Sequence, residues 1–327
     1  MEQIVPTESD PVLANAVLPL RALYYPLGFP LEIITNSPTV LEAAQRSWGL
    51  FQPKFPTPPF TLRLGVTENT LESPGLPTAP THRIKKNLLS SIADAHNFVI
   101  CDLNAGFSFG WITQQTVESE LYLRYHFLEA AALSMIGALR AVPLHAACVA
   151  LLGRGMLLCG DSGAGKSSLA FAGARSGWTF VSDDASYLPF ERRDRLVVGN
   201  CHQVRLRDSG ALLFPELKGR PITPRAAGKP SIEIPTADLP ELLTADSATV
   251  QSVIFLNRND ANIPELLPFD KETALSWFHQ SPLKTTESYS VQDAAILHLL
   301  DAEIFELRYT DLNWAIERLQ TLAATGG

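Results

Sequence analysis

Two spacings of apolar residues organise the chain. Residues 1–20 show no clear period and read as a loose arm. LYYPLGFPLEIIT (23–35) has the apolar density of a strand but is cut by Pro26 and Pro30. Ser37-Pro38 opens a predicted helix, TVLEAAQRSWGLF, with the serine as N-cap and the proline in the first turn. Prolines crowd residues 53–80 around one short strand, FTLRLGV, so this part is loop-rich and PGLPTAPT reads as an exposed loop. NFVICDL (97–103) and GFSFGWIT (106–113) predict a hairpin turning at Asn104-Ala105-Gly106.

The pattern changes at about residue 117. ESELYLRYHFLEAAALSMIGALRA has helical spacing and ends before Pro143. Two apolar strands follow, LHAACVALL and RGMLLCG, split by Gly153; then come a glycine-rich loop, a helix from Ser167 to about Ser176, and a strand, WTFVSDD. QVRLRDS, ATVQSVIFLN and EIFELRYT are further strand candidates. SVQDAAILHLLDA and DLNWAIERLQTLA read as helices capped by Ser290 and Asp311. No fixed-period repeat is visible. Helices mixed with continuous apolar strands predict an α/β core over 117–327, preceded by an α+β region over 1–116.

Composition narrows the classes. Of 327 residues 46% are hydrophobic and 18% charged, which excludes disorder of the whole chain. Twenty-six basic against 34 acidic residues give a net charge of −8, the reverse of a general nucleic-acid binder. The four cysteines form no C-x-x-C pair, so reduced thiols are expected. The acidic N-terminus lacks a cationic segment before an apolar one, and the most apolar stretch, 141–159, is interrupted by His145, Gly153 and Arg154. These features predict a soluble, cytoplasmic protein with no membrane partner.

The strongest chemical signal is GDSGAGKS, residues 160–167, a full match to G-x-x-x-x-G-K-[ST]. Composition alone would produce such a match in only about 1% of chains of this length. An apolar strand precedes it and a helix follows. Glycines let successive amides point at phosphate oxygens, and the helix adds free N–H groups and the positive end of its dipole. Lys166 supplies a cation for the β- and γ-phosphates, and Ser167 a hydroxyl for Mg²⁺. Gly160, Asp161, Ser162, Gly163, Ala164 and Gly165, with Ser168 beyond them, complete the expected nucleotide-binding segment.

Asp183 and Asp184 in VSDDASYLP end the next strand, at the sheet edge where ligands bind in open α/β folds. Paired carboxylates there can hold Mg²⁺ and take a proton from an attacking hydroxyl, provided the strand is already turning; otherwise they are a solvated turn. His145, in PLHAACV, returns to the same edge if residues 144–159 form a hairpin, where it would orient an aspartate; a packed core histidine is equally compatible. The remaining histidines complete no zinc pattern, and no G-x-S-x-G motif is present.

LHAACVALLGRGMLLCGDSGAGKSSLAFAGARSGWTFVSDDASYL resembles the catalytic core of HPr kinase/phosphorylase and its divergent serine-kinase relatives. The family order of L-H motif, hairpin, phosphate loop and paired aspartates is present. The resemblance is good over 120–190 and weaker over 195–235. It implies a P-loop core of the type shared with phosphoenolpyruvate carboxykinase, a mixed sheet with flanking helices. It implies that Lys166 and the loop glycines bind ATP and that Ser167 ligates Mg²⁺. By the same resemblance Asp184 is the base, while Asp183 assists at the metal and contacts His145. Lys229, with Arg225 as a weaker candidate, would close over the phosphates. Two departures stand out: Ser168 replaces the family's acidic residue, and the E-I-R-G-L-G-I signature of the hexameric, phosphorolytic enzyme is absent.

These features predict an ATP- and Mg²⁺-dependent kinase acting on a serine or other hydroxyl of a peptide or protein. A small-molecule kinase of the same fold and a nucleotide-binding regulatory module without transfer are the alternatives. Another nucleoside triphosphate in place of ATP, and a homo-oligomer, are compatible with the sequence.

Overall fold

The computed structural model describes residues 16–67, 76–223, 230–258, 263–280 and 289–325. The chain divides into two compact units, Met1–Met135 and Ile136–Gly327.

In the first unit, β1 (Leu20–Tyr24), β2 (Leu31–Thr35), β3 (Phe60–Thr67), β4 (Thr81–Lys85), β5 (Leu88–Ile92), β6 (Phe98–Asp102) and β7 (Phe107–Thr113) form a mixed sheet ordered β1-β2-β3-β7-β6-β5-β4. Residues 23–35 are two antiparallel strands, parted at Pro26–Gly28, where Leu27 and Gly28 take positive φ. The helix α1 (Pro38–Trp48) starts after Ser37, yet the serine hydroxyl makes no capping bond; its amide donates instead to Thr35 Oγ1 at 3.2 Å. The β6–β7 hairpin turns where the sequence predicts. The β4–β5 hairpin is invisible in the pattern because β4 is an edge strand exposed at all five positions, with no buried face to impose alternation.

The predicted single helix before Pro143 is broken into α2 (Gln114–Glu118), α3 (Glu120–Leu123), a π-helical turn at Arg124–Glu129 and α4 (Ala130–Leu139). As far as residue 135 it lies in the first unit, whereas the sequence reading grouped everything from 117 with the phosphate loop. Polar links explain its allegiance: Arg124 Nε donates to Ser47 Oγ at 2.9 Å, and Ser47 Oγ to Glu129 at 3.0 Å, fastening the run to α1.

The second unit contains β8 (Ala141–Leu144), β9 (Ala147–Leu151), β10 (Arg154–Cys159), α5 (Lys166–Arg175), β11 (Thr179–Ser182), β12 (Ser186–Pro189) and β13 (Leu196–Gly199). It continues with β14 (Gln203–Leu206), β15 (Ile222–Thr223), β16 (Ser231–Pro235), β17 (Leu243–Thr244), β18 (Ser247–Asn257), β19 (Glu265–Pro268), α5's successors α6 (Lys271–Phe278) and α7 (Tyr289–Leu299), then β20 (Glu303–Arg308) and α8 (Leu312–Thr325). The main sheet runs β17-β11-β9-β10-β18-β13-β12-β8, with β20 and then β19 joining at β18; β14-β16-β15 is a separate small sheet. The unit is therefore mixed α/β.

The strand β10 is buried on both faces, as its unbroken apolar run requires. Met156 and Leu158 enter the layer beneath α5 and α8, with Phe171, Trp178 and Leu319; Leu157 and Cys159 enter the opposite layer, with Val253, Ile296 and Leu299. The strand expected over 144–152 begins only at Ala147, because the chain bends at His145-Ala146 on leaving β8. Ser290 lies inside α7 rather than ahead of it, while Asp311 caps α8 as predicted, accepting Trp314 N at 2.7 Å. The short α6, capped by Asp270, escapes the sequence pattern. Among the described residues no helix is long and apolar enough to cross a membrane.

Burial raises several ionisable groups. Cys101 is pushed up from 9.0 to about 11, Cys148 to about 12, and Tyr122 and Tyr309 from 10.0 to about 12. An unfolded chain loses these protons first, so their contribution is intact below pH 9 and is lost as pH climbs toward 12. Urea denaturation at stepped pH should show this decline. Tyr309→Phe should lower stability by about 1 kcal/mol at neutral pH; because only the wild type then loses about 2 kcal/mol between pH 10 and 12, the deficit should close and reverse over that range.

Candidate functional site

The strand β10 delivers the chain into loop 160–165 at the sheet edge. Gly160, Gly163 and Gly165 have φ of 143°, 103° and 101°, values that side chains strain to adopt. Gly165 is the N-cap of α5 in the left-handed region. Tyr309, fully packed at the end of β20, donates its hydroxyl to Ala164 O at 3.2 Å and crowds Gly165 so closely that a Cβ there would lie 2.5 Å from the phenol oxygen.

This winding turns carbonyls inward onto a buried cation. Lys166 is only 5% exposed, and its Nζ donates to Gly160 O at 2.6 Å and Asp161 O at 3.3 Å, with His145 Nε2 at 3.1 Å. The three ammonium protons thus have three partners. Desolvation lowers the lysine's pKa, partly opposed by the negative charge of Asp184.

Strand order explains how His145 reaches this point. The strand β9 runs antiparallel between β10 and β11, so the start of β9 lies beside the ends of both. His145, just before β9, therefore meets the loop after β10 and the aspartates after β11. His145 Nδ1 lies 3.3 Å from Asp184 Oδ1. An ammonium can only donate, so Nε2 accepts, Nδ1 carries the proton, and the imidazole is neutral in the chain Lys166–His145–Asp184.

The paired aspartates sit in a bend beyond β11, and they divide their work. Asp184 faces His145, the contact that the family resemblance gives to Asp183. Asp183 is buried, its Oδ2 accepts the backbone amide of Arg205, and its carbonyl accepts Ser167 Oγ at 3.1 Å. Behind them lies a buried clamp that the sequence does not announce. Ser182 Oγ and Ser186 Oγ are 2.6 Å apart, Ser186 Oγ donates to Ala146 O at 2.9 Å, and Cys148 N donates to Ser182 Oγ at 3.2 Å. The clamp locks the bend carrying His145 to the bend carrying the aspartates.

These groups open onto a cavity of about 510 Å³ lined also by Ser162, Gly163, Gly165, Ser167, Ser168, Ser231 and three arginines, 205, 207 and 258. Asp184 lines it; Asp183 is not among its lining residues. Lys229 and Arg225 lie outside the described residues. No motif in the sequence marks these arginines, although the alternation of QVRLRDS puts Arg205 and Arg207 on one face, opposite buried Val204 and Leu206. Four cations against one carboxylate suit a polyanion, and the loop amides, the Lys166 ammonium and the Ser167 hydroxyl are the donor set a magnesium-bound triphosphate needs.

No protein-family model matches the sequence, and no curated protein matches it. Among solved structures, the chain is similar to the Hpr(Ser) kinase/phosphatase from Coxiella burnetii, with 15% identity and a TM-score of 0.34 over 56% of this chain and 95% of that one. A likeness of that size carries no argument about activity.

Gly165→Ala should destabilise the protein by about 1–3 kcal/mol in urea denaturation, through positive φ and the clash with Tyr309. A near-neutral result would mean that the loop is not held in this form.

Proposed function

We propose that the chain is an ATP- and Mg²⁺-dependent kinase with a P-loop core of the HPr kinase type, transferring the γ-phosphoryl group to a serine or other hydroxyl of a peptide or protein. The observation that carries this reading is the contiguous chain Lys166–His145–Asp184 opening onto a cation-lined cavity.

Lys166 and the amides of loop 160–167 hold the phosphates; the lysine exchanges its longest contact, Asp161 O, for a phosphate oxygen. Ser167 and Asp183, joined by their 3.1 Å bond, are the residues for the metal, Asp183 keeping one carboxylate oxygen on the Arg205 amide. Magnesium-bound ATP supplies the phosphoryl group and neutralises its charge. Asp184 takes the acceptor hydroxyl's proton, and the Nδ1–H of His145 fixes the carboxylate's orientation. A module that only bound nucleotide would have no use for a base positioned in this way.

Asp184→Asn should bind magnesium-ATP as the wild type does and lose transfer by about 10²–10⁴-fold. Lys166→Ala should lose nucleotide binding. The assay is γ-labelled ATP incubated with mixed serine-containing peptides and hydroxyl metabolites. Label in the peptide fraction supports this reading, label in the small-molecule fraction supports a metabolite kinase, and wild-type transfer by Asp184→Asn removes the base assignment.

A further inference from the structure

Arg205, Arg207 and Arg258 line one cavity but are held differently. Arg205 is neutralised: its Nε lies 3.0 Å from Glu233 Oε1, and its Nη2 donates to Gln203 Oε1 at 3.2 Å. Arg258 directly follows β18, on the side of β10 away from β9, and is solvent-exposed. Arg207 is the third case. It follows β14, whose Val204 and Leu206 are anchored in the core, and it shares a face with Arg205. Its Nη2 donates to Ser162 Oγ in the phosphate loop itself. That partner is neutral, and among the described residues no carboxylate forms an ion pair with this guanidinium over the loop. It also bears on Lys166, whose charged form it disfavours. Two cations brought together over one loop are unfavourable unless an anion comes between them.

The backbone makes this placement deliberate. Asp183 Oδ2 accepts the Arg205 amide, tying β14 to the bend that carries Asp184. Arg207 is therefore positioned from both sides, by the bond from the Arg205 amide, two residues upstream, to Asp183 and by Ser162 at its tip.

We propose that Arg207 is a catalytic residue that leaves Ser162 Oγ to hold the terminal phosphoryl group of the bound nucleotide. This rests on the kinase reading above. In the transfer, the acceptor oxygen forms a bond to the terminal phosphorus, its proton passes to Asp184, and the bond from phosphorus to the bridging oxygen breaks. The electron pair leaves with the nucleoside diphosphate. Arg207 and Lys166 would face the charge on the phosphoryl oxygens throughout.

The test is calorimetric titration of the full chain, with magnesium, by ADP and by a nonhydrolysable ATP analogue. The wild type should prefer the analogue. Arg207→Ala and Arg207→Gln should bind ADP within about 2-fold of wild type while the analogue weakens by about 10-fold, and transfer should fall by about 10²-fold or more. Arg207 is exposed, so both variants should melt as the wild type does. Equal wild-type affinity for the two nucleotides, or an unchanged preference in both variants, would overturn the proposal. So would an equal collapse of the preference in Arg258→Ala, which would reduce the effect to bulk charge. If the wild type binds neither nucleotide, the kinase reading itself fails; if Lys166→Ala loses both while the Arg207 variants behave as wild type, only the Arg207 assignment fails.

Discussion

A lysine ammonium almost fully removed from water is the constraint on which this site depends. Burying an unpaired charge is expensive enough that the surrounding backbone has to answer it. Loop 160–165 does so with two carbonyls, and they point inward only because Gly160, Gly163 and Gly165 take positive φ. The glycines and the lysine are thus one feature. Glycines alone would give a loose turn, and the lysine alone would stay in solvent. The third acceptor, His145 Nε2, comes from a different segment, so the charge also fixes a tertiary contact.

That contact is possible because an antiparallel strand sits between two strands that point the same way. With β11 directly beside β10, the aspartates would still reach the loop, but no strand start would lie between them. The insertion of β9 supplies one, and His145 occupies it. The His145–Asp184 pair, at 56% and 27% side-chain exposure, is open enough to water that it contributes little to stability. Its geometry is held instead by the buried Ser182–Ser186 clamp, where each hydroxyl is satisfied and none is accessible to ligand. Stability and chemistry are therefore carried by neighbouring but separate groups.

Much of the candidate site is legible in the sequence because it is local. Loop, lysine and helix are consecutive, and the hairpin returning His145 needs only Gly153 and two apolar runs. The arginines are not legible in the same way. The face of β14 has meaning only once β14 is placed, and it is placed by pairing with β16 and by the Asp183 carboxylate, both distant in sequence. The division of labour between Asp183 and Asp184 is hidden for the same reason. In the fold, β10 is readable because both its faces are buried, whereas β4 is not because neither is. The grouping of 117–135 depends on side-chain links from Arg124 and Glu129 to Ser47, which no periodicity encodes.

The charge balance of the cavity joins these observations. A chain with net charge −8 collects four of the five fixed charges lining this cavity as cations. One of them, Arg205, is compensated by Glu233, and its backbone rather than its charge is what Asp183 uses. The others are left facing a single carboxylate. Mutual repulsion among cations that line one pocket is unfavourable, and a multivalent anion relieves it. Asp184 is the necessary exception. Its Oδ1 lies 3.3 Å from His145 Nδ1, and it lines the cavity together with the cations. In the kinase reading, polyanion binding and proton acceptance by Asp184 therefore draw on one arrangement of charges.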